Sequence, residues 1–131
     1  MASEATLYEL AGGMPFFERL VGRFYDGVAE DPILRPIYPD EDLTGARRRL
    51  TLFLAQYWGG PRTYDQERGH PRLRMRHAPF AIGPGERDAW LARMRAAIAE
   101  LDPPPEVAER LDAYIEMAAE AMRNRDGVPG R

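Results

Sequence analysis

Residues 15–28 read Pro-Phe-Phe-Glu-Arg-Leu-Val-Gly-Arg-Phe-Tyr-Asp-Gly-Val, and the spacing of their apolar side chains decides the fold class. Phe17, Leu20, Val21, Phe24, Tyr25 and Val28 recur at steps of three and four, which puts them on one face of a helix. A half-buried strand would alternate at every second position instead. Pro15 suits the first helical turn, where its missing N–H has no intrahelical partner. The stretch therefore predicts an amphipathic helix of about four turns.

Outward from it, the same period returns three times. Leu43, Ala46, Leu50, Phe53, Leu54 and Tyr57 form a second stripe, stopped by Gly59-Gly60-Pro61. Trp90, Met94, Ala97, Ile98 and Leu101 form a third, beginning near Gly83-Pro84-Gly85 and ended by Asp102-Pro103-Pro104-Pro105. Val107, Leu111, Tyr114, Ile115, Ala118 and Met122 form a fourth. Residues 6–11 suit one or two further turns before Gly12-Gly13, and Asp31 to Tyr38 reads as a tight helical corner closed by Pro39. With no β-alternation of useful length, the fold class is all-α. Between Gly59 and Gly85 lies an irregular stretch with four prolines, five glycines and both histidines of the chain. A loop that long in a compact domain is usually functional.

Composition narrows the chemistry. A chain of 131 residues fits one domain with a self-supporting core, expected over residues 1–126 with 127–131 as a frayed tail. No apolar run approaches the ~20 residues of a membrane span. Met1 to Leu10 lacks the basic and apolar regions of a secretory signal, so the expected location is cytoplasmic. The absence of cysteine excludes disulfides, thiolate metal sites and cysteine nucleophiles together. All eighteen cations are arginine, which excludes Schiff-base and phosphate-loop lysines.

Five arginines (Arg62, Arg68, Arg72, Arg74, Arg76) surround the histidines. That cluster suits a solvated loop, a phosphate contact or a clamp for a small carboxylate ligand. The net charge of −3 weighs against nucleic acid. His70 and His77 are seven apart with Pro71 between them, a poor arrangement for chelating one ion from one helix face. A haem iron, by contrast, needs only one axial imidazole. His77 lies near Met75 and Phe80, whereas His70 is flanked by Gly69 and Pro71. Local sequence leaves a packed or solvent-facing histidine open at both positions.

The run Gln56-Tyr57-Trp58-Gly59-Gly60-Pro61-Arg62-Thr63-Tyr64, then Arg68-Gly69-His70-Pro71-Arg72-Leu73-Arg74-Met75-Arg76-His77-Ala78-Pro79-Phe80 and Glu86-Arg87-Asp88-Ala89-Trp90-Leu91, resembles the group II truncated haemoglobins. Arg23-Phe24-Tyr25 and Tyr38-Pro39 extend the likeness, which covers about Leu7 to Asn124. The resemblance implies a 2-over-2 globin: two antiparallel helix pairs sandwiching haem b, with the proximal helix reduced to a turn in a long loop. It implies His77 as the iron ligand, and Tyr25, Tyr38 and Trp90 as hydrogen-bond donors to the bound ligand. Ala46 stands where oxygen-storage globins place a distal histidine, with Leu50 one turn later. Arg49, Tyr64 and Arg76 match positions that contact the haem propionates, and Phe53, Met75, Phe80 and Ile82 are expected to line the porphyrin.

The expected function is reversible binding of dioxygen and other diatomic ligands. The alternative is a haem enzyme, a nitric oxide dioxygenase or weak peroxidase with Tyr25 and Tyr38 as redox or proton partners, which would call for a reductase. A haem-free interaction module built on the arginine-rich loop ranks far below both. Monomer and homodimer both remain open, and no nucleic-acid or membrane partner is expected.

Overall fold

The computed structural model describes residues 5–38, 42–69 and 82–123. Helix α1 spans Leu7–Ala11, α2 Met14–Glu30, α3 Thr44–Tyr57, α4 Thr63–Arg68, α5 Pro84–Leu101 and α6 Pro105–Ala121, with a 3-10 turn at Arg35–Ile37. Among the described residues there is no strand. The four predicted stripes become α2, α3, α5 and α6, and residues 6–11 become α1.

Helices α1, α3 and α5 start where a nearby side chain satisfies a free N–H group. The Thr6 hydroxyl accepts from the Glu9 amide at 3.2 Å, while the Glu9 carboxylate accepts from the Thr6 amide at 3.0 Å. Asp42 caps α3 by accepting from the Thr44 amide at 2.9 Å, and Glu86 accepts from the Gly83 amide at 2.8 Å ahead of α5. Helix α5 ends on Asp102 in the left-handed conformation (φ 47°), and Pro105 begins α6 directly.

Helix α4 is the departure from the sequence reading, which expected only irregular chain there. It is too short to show a hydrophobic period, and its position is set by a tertiary contact instead. Gln56, at the end of α3, donates to the Asp65 carboxylate and accepts from the Asp65 amide, both at 2.9 Å.

Helix α2 packs against both α3 and α5, and α5 packs against α6. The architecture is the two-on-two arrangement of antiparallel helix pairs. Phe16, Phe17, Leu20, Val21, Phe24, Tyr25 and Val28 on α2 are all buried and meet Leu54, Met94, Ile98, Leu111 and Ile115 in one core. Burial of each such side chain contributes about 1.5–3 kcal/mol, so α2 is the element on which the fold rests. A second aromatic group, Tyr57, Trp58 and Tyr114, ties the end of α3 to α6, with the Arg110 guanidinium 5.5 Å from the Trp58 ring centre. On the solvent side, Arg95 bridges α5 to Asp112 and Glu116 of α6 at 2.7 and 3.2 Å. These exposed pairs contribute little individually. Among the described residues no helix is long and apolar enough to cross a membrane.

Candidate ligand pocket

Three polar aromatic side chains that are far apart in sequence meet at one end of the core. Tyr25 comes from the last third of α2, Tyr38 from the residue after the 3-10 turn, and Trp90 from the first half of α5. The rings of Tyr25 and Tyr38 lie edge to face at 5.5 Å. Phe24 links the groups, with its ring centre 4.9 Å from Tyr25 and 5.6 Å from Trp90. Tyr38 and Trp90 share the wall of an open cleft, completed by apolar Leu34, Ile37, Ile82, Ala119 and Met122 and by Glu86 and Arg87.

The electrostatics of the phenol pair are unequal. Burial pushes the Tyr25 hydroxyl far above the usual phenol range, and the charge interaction and hydrogen bond with the neighbouring Tyr38 raise it further. The positive charges of Arg49 and Arg47 offset part of this. Burial also raises Tyr38, and its hydrogen bond with Tyr25 offsets part of that. Both phenols are therefore neutral at physiological pH. The two hydroxyls share one hydrogen bond, which leaves one O–H of the pair to give elsewhere.

The remaining expected residues divide by position. Arg49 is exposed on α3, and its Nη1 atom would stand 2.9 Å from a Cβ placed at Gly45, so the guanidinium folds back over that turn. Ala46 and Leu50 are half-buried at the edge of the core. Phe53 and Tyr64 are buried and meet edge to face at 5.5 Å, bringing α4 onto α3. Ile82 is buried in the cleft wall. His77, Arg76, Met75 and Phe80 lie outside the described residues, as do His70, Arg72, Arg74 and the expected tail at 127–131.

The cleft also draws on residues not singled out in the sequence as pocket-forming: Leu34, Ile37, Glu86, Arg87 and Ala119. Met122 had been read only as part of the last apolar stripe. Their side chains sit in the corner or at helix ends, where a hydrophobic period says what is buried but not what it faces.

The chain matches the family model described as "Bacterial-like globin" over residues 6–124. The chain belongs to this globin family. Within it, the chain is a group II truncated haemoglobin: it is 42% identical over 119 residues to the group 2 truncated hemoglobin YjbI of Bacillus subtilis, covering 91% of this chain and 89% of that one. The thermostable hemoglobin of the actinobacterium Thermobifida fusca is 58% identical and superposes with a TM-score of 0.90, over 95% of this chain and 99% of that one. The truncated oxygen-avid haemoglobin of Bacillus subtilis is 42% identical and superposes with a TM-score of 0.87, over 92% and 100% of the two chains.

Membership of this globin family implies haem and diatomic ligands such as oxygen. The donor set fits that group. Apolar Leu34, Ile37, Ile82, Ala119 and Met122 suit a porphyrin edge, while neutral Tyr38 and Trp90 on the same wall suit a small ligand with partial negative charge.

Proposed function

We propose that this truncated haemoglobin binds dioxygen reversibly at haem b and holds it through donors from Tyr38 and Trp90, with Tyr25 fixing Tyr38 from behind. The observation that carries the reading is Tyr38 beside Trp90 on one cleft wall, with the Tyr25 ring packed edge to face on Tyr38 at 5.5 Å. Haem supplies the iron at which a diatomic ligand is held and released. His77 is the residue proposed to ligate it, and Tyr64, Arg49 and Arg76 are proposed to meet the propionates, for which arginine forks and a phenol are matched partners.

A bound dioxygen carries partial negative charge, so each donor aimed at it contributes roughly 1.5–3 kcal/mol. The Tyr38 phenol supplies that contribution without ionising, because burial disfavours its deprotonated form. Ala46, a methyl where a polar side chain would otherwise stand, leaves the donor work to the aromatic residues. The oxygen-avid character named for the Bacillus subtilis relative agrees with this reading.

Reconstitution with haemin tests it. The expected result is a one-to-one complex with a Soret band, a stable oxygenated form on reduction, and loss of the proximal coordination spectrum in His77→Ala. No Soret band, or an unchanged spectrum in His77→Ala, would refute the assignment.

A further inference from the structure

We propose that Asp31 and Arg93 form a positioning pair that fixes the separation between Tyr38 and Trp90, the two ligand donors. The inference rests on the reading of those two residues given above, and concerns residues that touch neither ligand nor cofactor.

Asp31 is a buried carboxylate at the end of α2 with both oxygens engaged. One carboxylate oxygen accepts from the amides of Ile33 and Leu34 at 2.8 and 3.2 Å, and the other accepts from Nε of Arg93 at 3.0 Å. Its backbone carbonyl accepts from the Arg35 amide at 2.9 Å. From there a chain of short bonds runs to the donor: the Arg35 guanidinium reaches the Tyr38 carbonyl at 2.8 Å, and the Tyr38 amide returns to the Arg35 carbonyl at 3.2 Å. The corner that presents Tyr38 is thus built outward from Asp31.

Arg93 stands one turn beyond Trp90 on α5. To reach Asp31 its stem crosses α2 at Gly27, where a Cβ would lie 2.9 Å from Arg93 Cδ. Glycine at that position gives the arginine its path. The pair therefore ties the helix carrying Trp90 to the corner carrying Tyr38, across the helix carrying Tyr25. The Asp31 side chain is only 9% exposed against 37% for Arg93, so the bond is shielded on the carboxylate side, unlike the open ion pairs between α5 and α6.

Hydrogen bonds to a small ligand weaken steeply when a donor shifts by a fraction of an ångström. Releasing the pair should therefore act on ligand escape even though neither residue meets the ligand. Asp31→Asn is the informative variant. Its amide oxygen still accepts from the Ile33 and Leu34 amides, so the corner keeps its cap while the charged grip on Arg93 is lost.

The test measures oxygen release by stopped flow for wild type, Asp31→Asn, Arg93→Met, Trp90→Phe, Tyr38→Phe and the doubles that combine Asp31→Asn with each donor variant. Asp31→Asn and Arg93→Met are each expected to speed release about tenfold, equivalent to one weakened donor. Combined with the donor variant through which the pair acts, Asp31→Asn should add much less than its effect in wild type. In parallel, hydrogen exchange of the Trp90 indole N–H in the haem-loaded protein should quicken in Asp31→Asn while that of Trp58 does not change. Release and indole exchange equal to wild type, or effects that multiply in full with both donor variants, would overturn the proposal. Should Asp31→Asn fail to fold, Arg93→Met reads the same pair from α5. If Trp90→Phe and Tyr38→Phe leave release unchanged, the donor reading fails, and the indole exchange still decides whether the pair holds Trp90.

Discussion

Replacing Trp90 by phenylalanine isolates one donor. Trp90 is half-buried, and it lines the cleft together with Tyr38. Its ring meets Phe24 at 5.6 Å with an interplanar angle of 68°, an edge contact that a phenyl ring can retain. The substitution therefore removes the indole N–H and a modest apolar volume, with a stability cost of about 1–2 kcal/mol. A hydrogen bond to a partially charged ligand is worth roughly 1.5–3 kcal/mol, and each ~1.4 kcal/mol is a tenfold change in an equilibrium. If that difference resides in dissociation, oxygen should leave about 10 to 100 times faster. Stopped-flow displacement of oxygen by carbon monoxide measures this directly. Trp58→Phe is the control, since Trp58 packs on Tyr114 at 5.5 Å away from the donor cluster. Release from Trp90→Phe within about twofold of wild type would refute the donor role, because a hydrogen bond of the stated size cannot hide within that margin.

The two tyrosines should behave as a unit: Tyr25→Phe and Tyr38→Phe each speed oxygen release, and the double variant is expected to show less than the product of the two effects when tested in the same stopped-flow assay, because the two hydroxyls are hydrogen-bonded to each other. Gly60→Ala should lose about 2–3 kcal/mol in thermal or denaturant unfolding, since its Cβ would stand 2.6 Å from the Tyr8 ring and 2.8 Å from the Ala55 carbonyl. Asp31 gives a pH signature. Its three donors hold the carboxyl below its ordinary 3.8 despite burial, so its contribution to stability is complete above that value and is lost as pH falls through the lower folded value. Denaturant unfolding of wild type and Asp31→Asn should accordingly differ most near neutrality and converge in strong acid.

What was legible in the sequence follows from which forces leave a periodic trace. Helix α2 was readable because burial selects one face, and every member of its predicted stripe is buried. In α3 the stripe is less faithful: Phe53 and Leu54 are buried, but Ala46 and Leu50 are only half-buried and Tyr57 is 49% exposed. Its face is shared between the core, the edge of the core and the packing of Tyr57 on Tyr114 at 4.4 Å, three environments with one apolar signature. Helix α4 left no trace at all, since a reciprocal amide pair between Gln56 and Asp65 holds it rather than a buried stripe.

The donor cluster illustrates the same limit from the opposite side. Tyr25 sits on a stripe that ordinary packing would explain in full, and only its meeting with Tyr38 gives its hydroxyl a direction. That meeting depends on the corner between α2 and α3, whose shape rests on single residues: the Asp31 carboxylate, the Arg35 guanidinium and the space at Gly27. No spacing rule marks such residues, because each acts once: Asp31 and Gly27 through Arg93 on α5, Arg35 through the Tyr38 carbonyl. On the proposed reading, one substitution at the corner alters how the donors face the ligand while the helical stripes stay unchanged. Ligand residence time should for that reason vary among similar two-on-two folds more through corner residues such as Asp31 than through the apolar positions that define the helices.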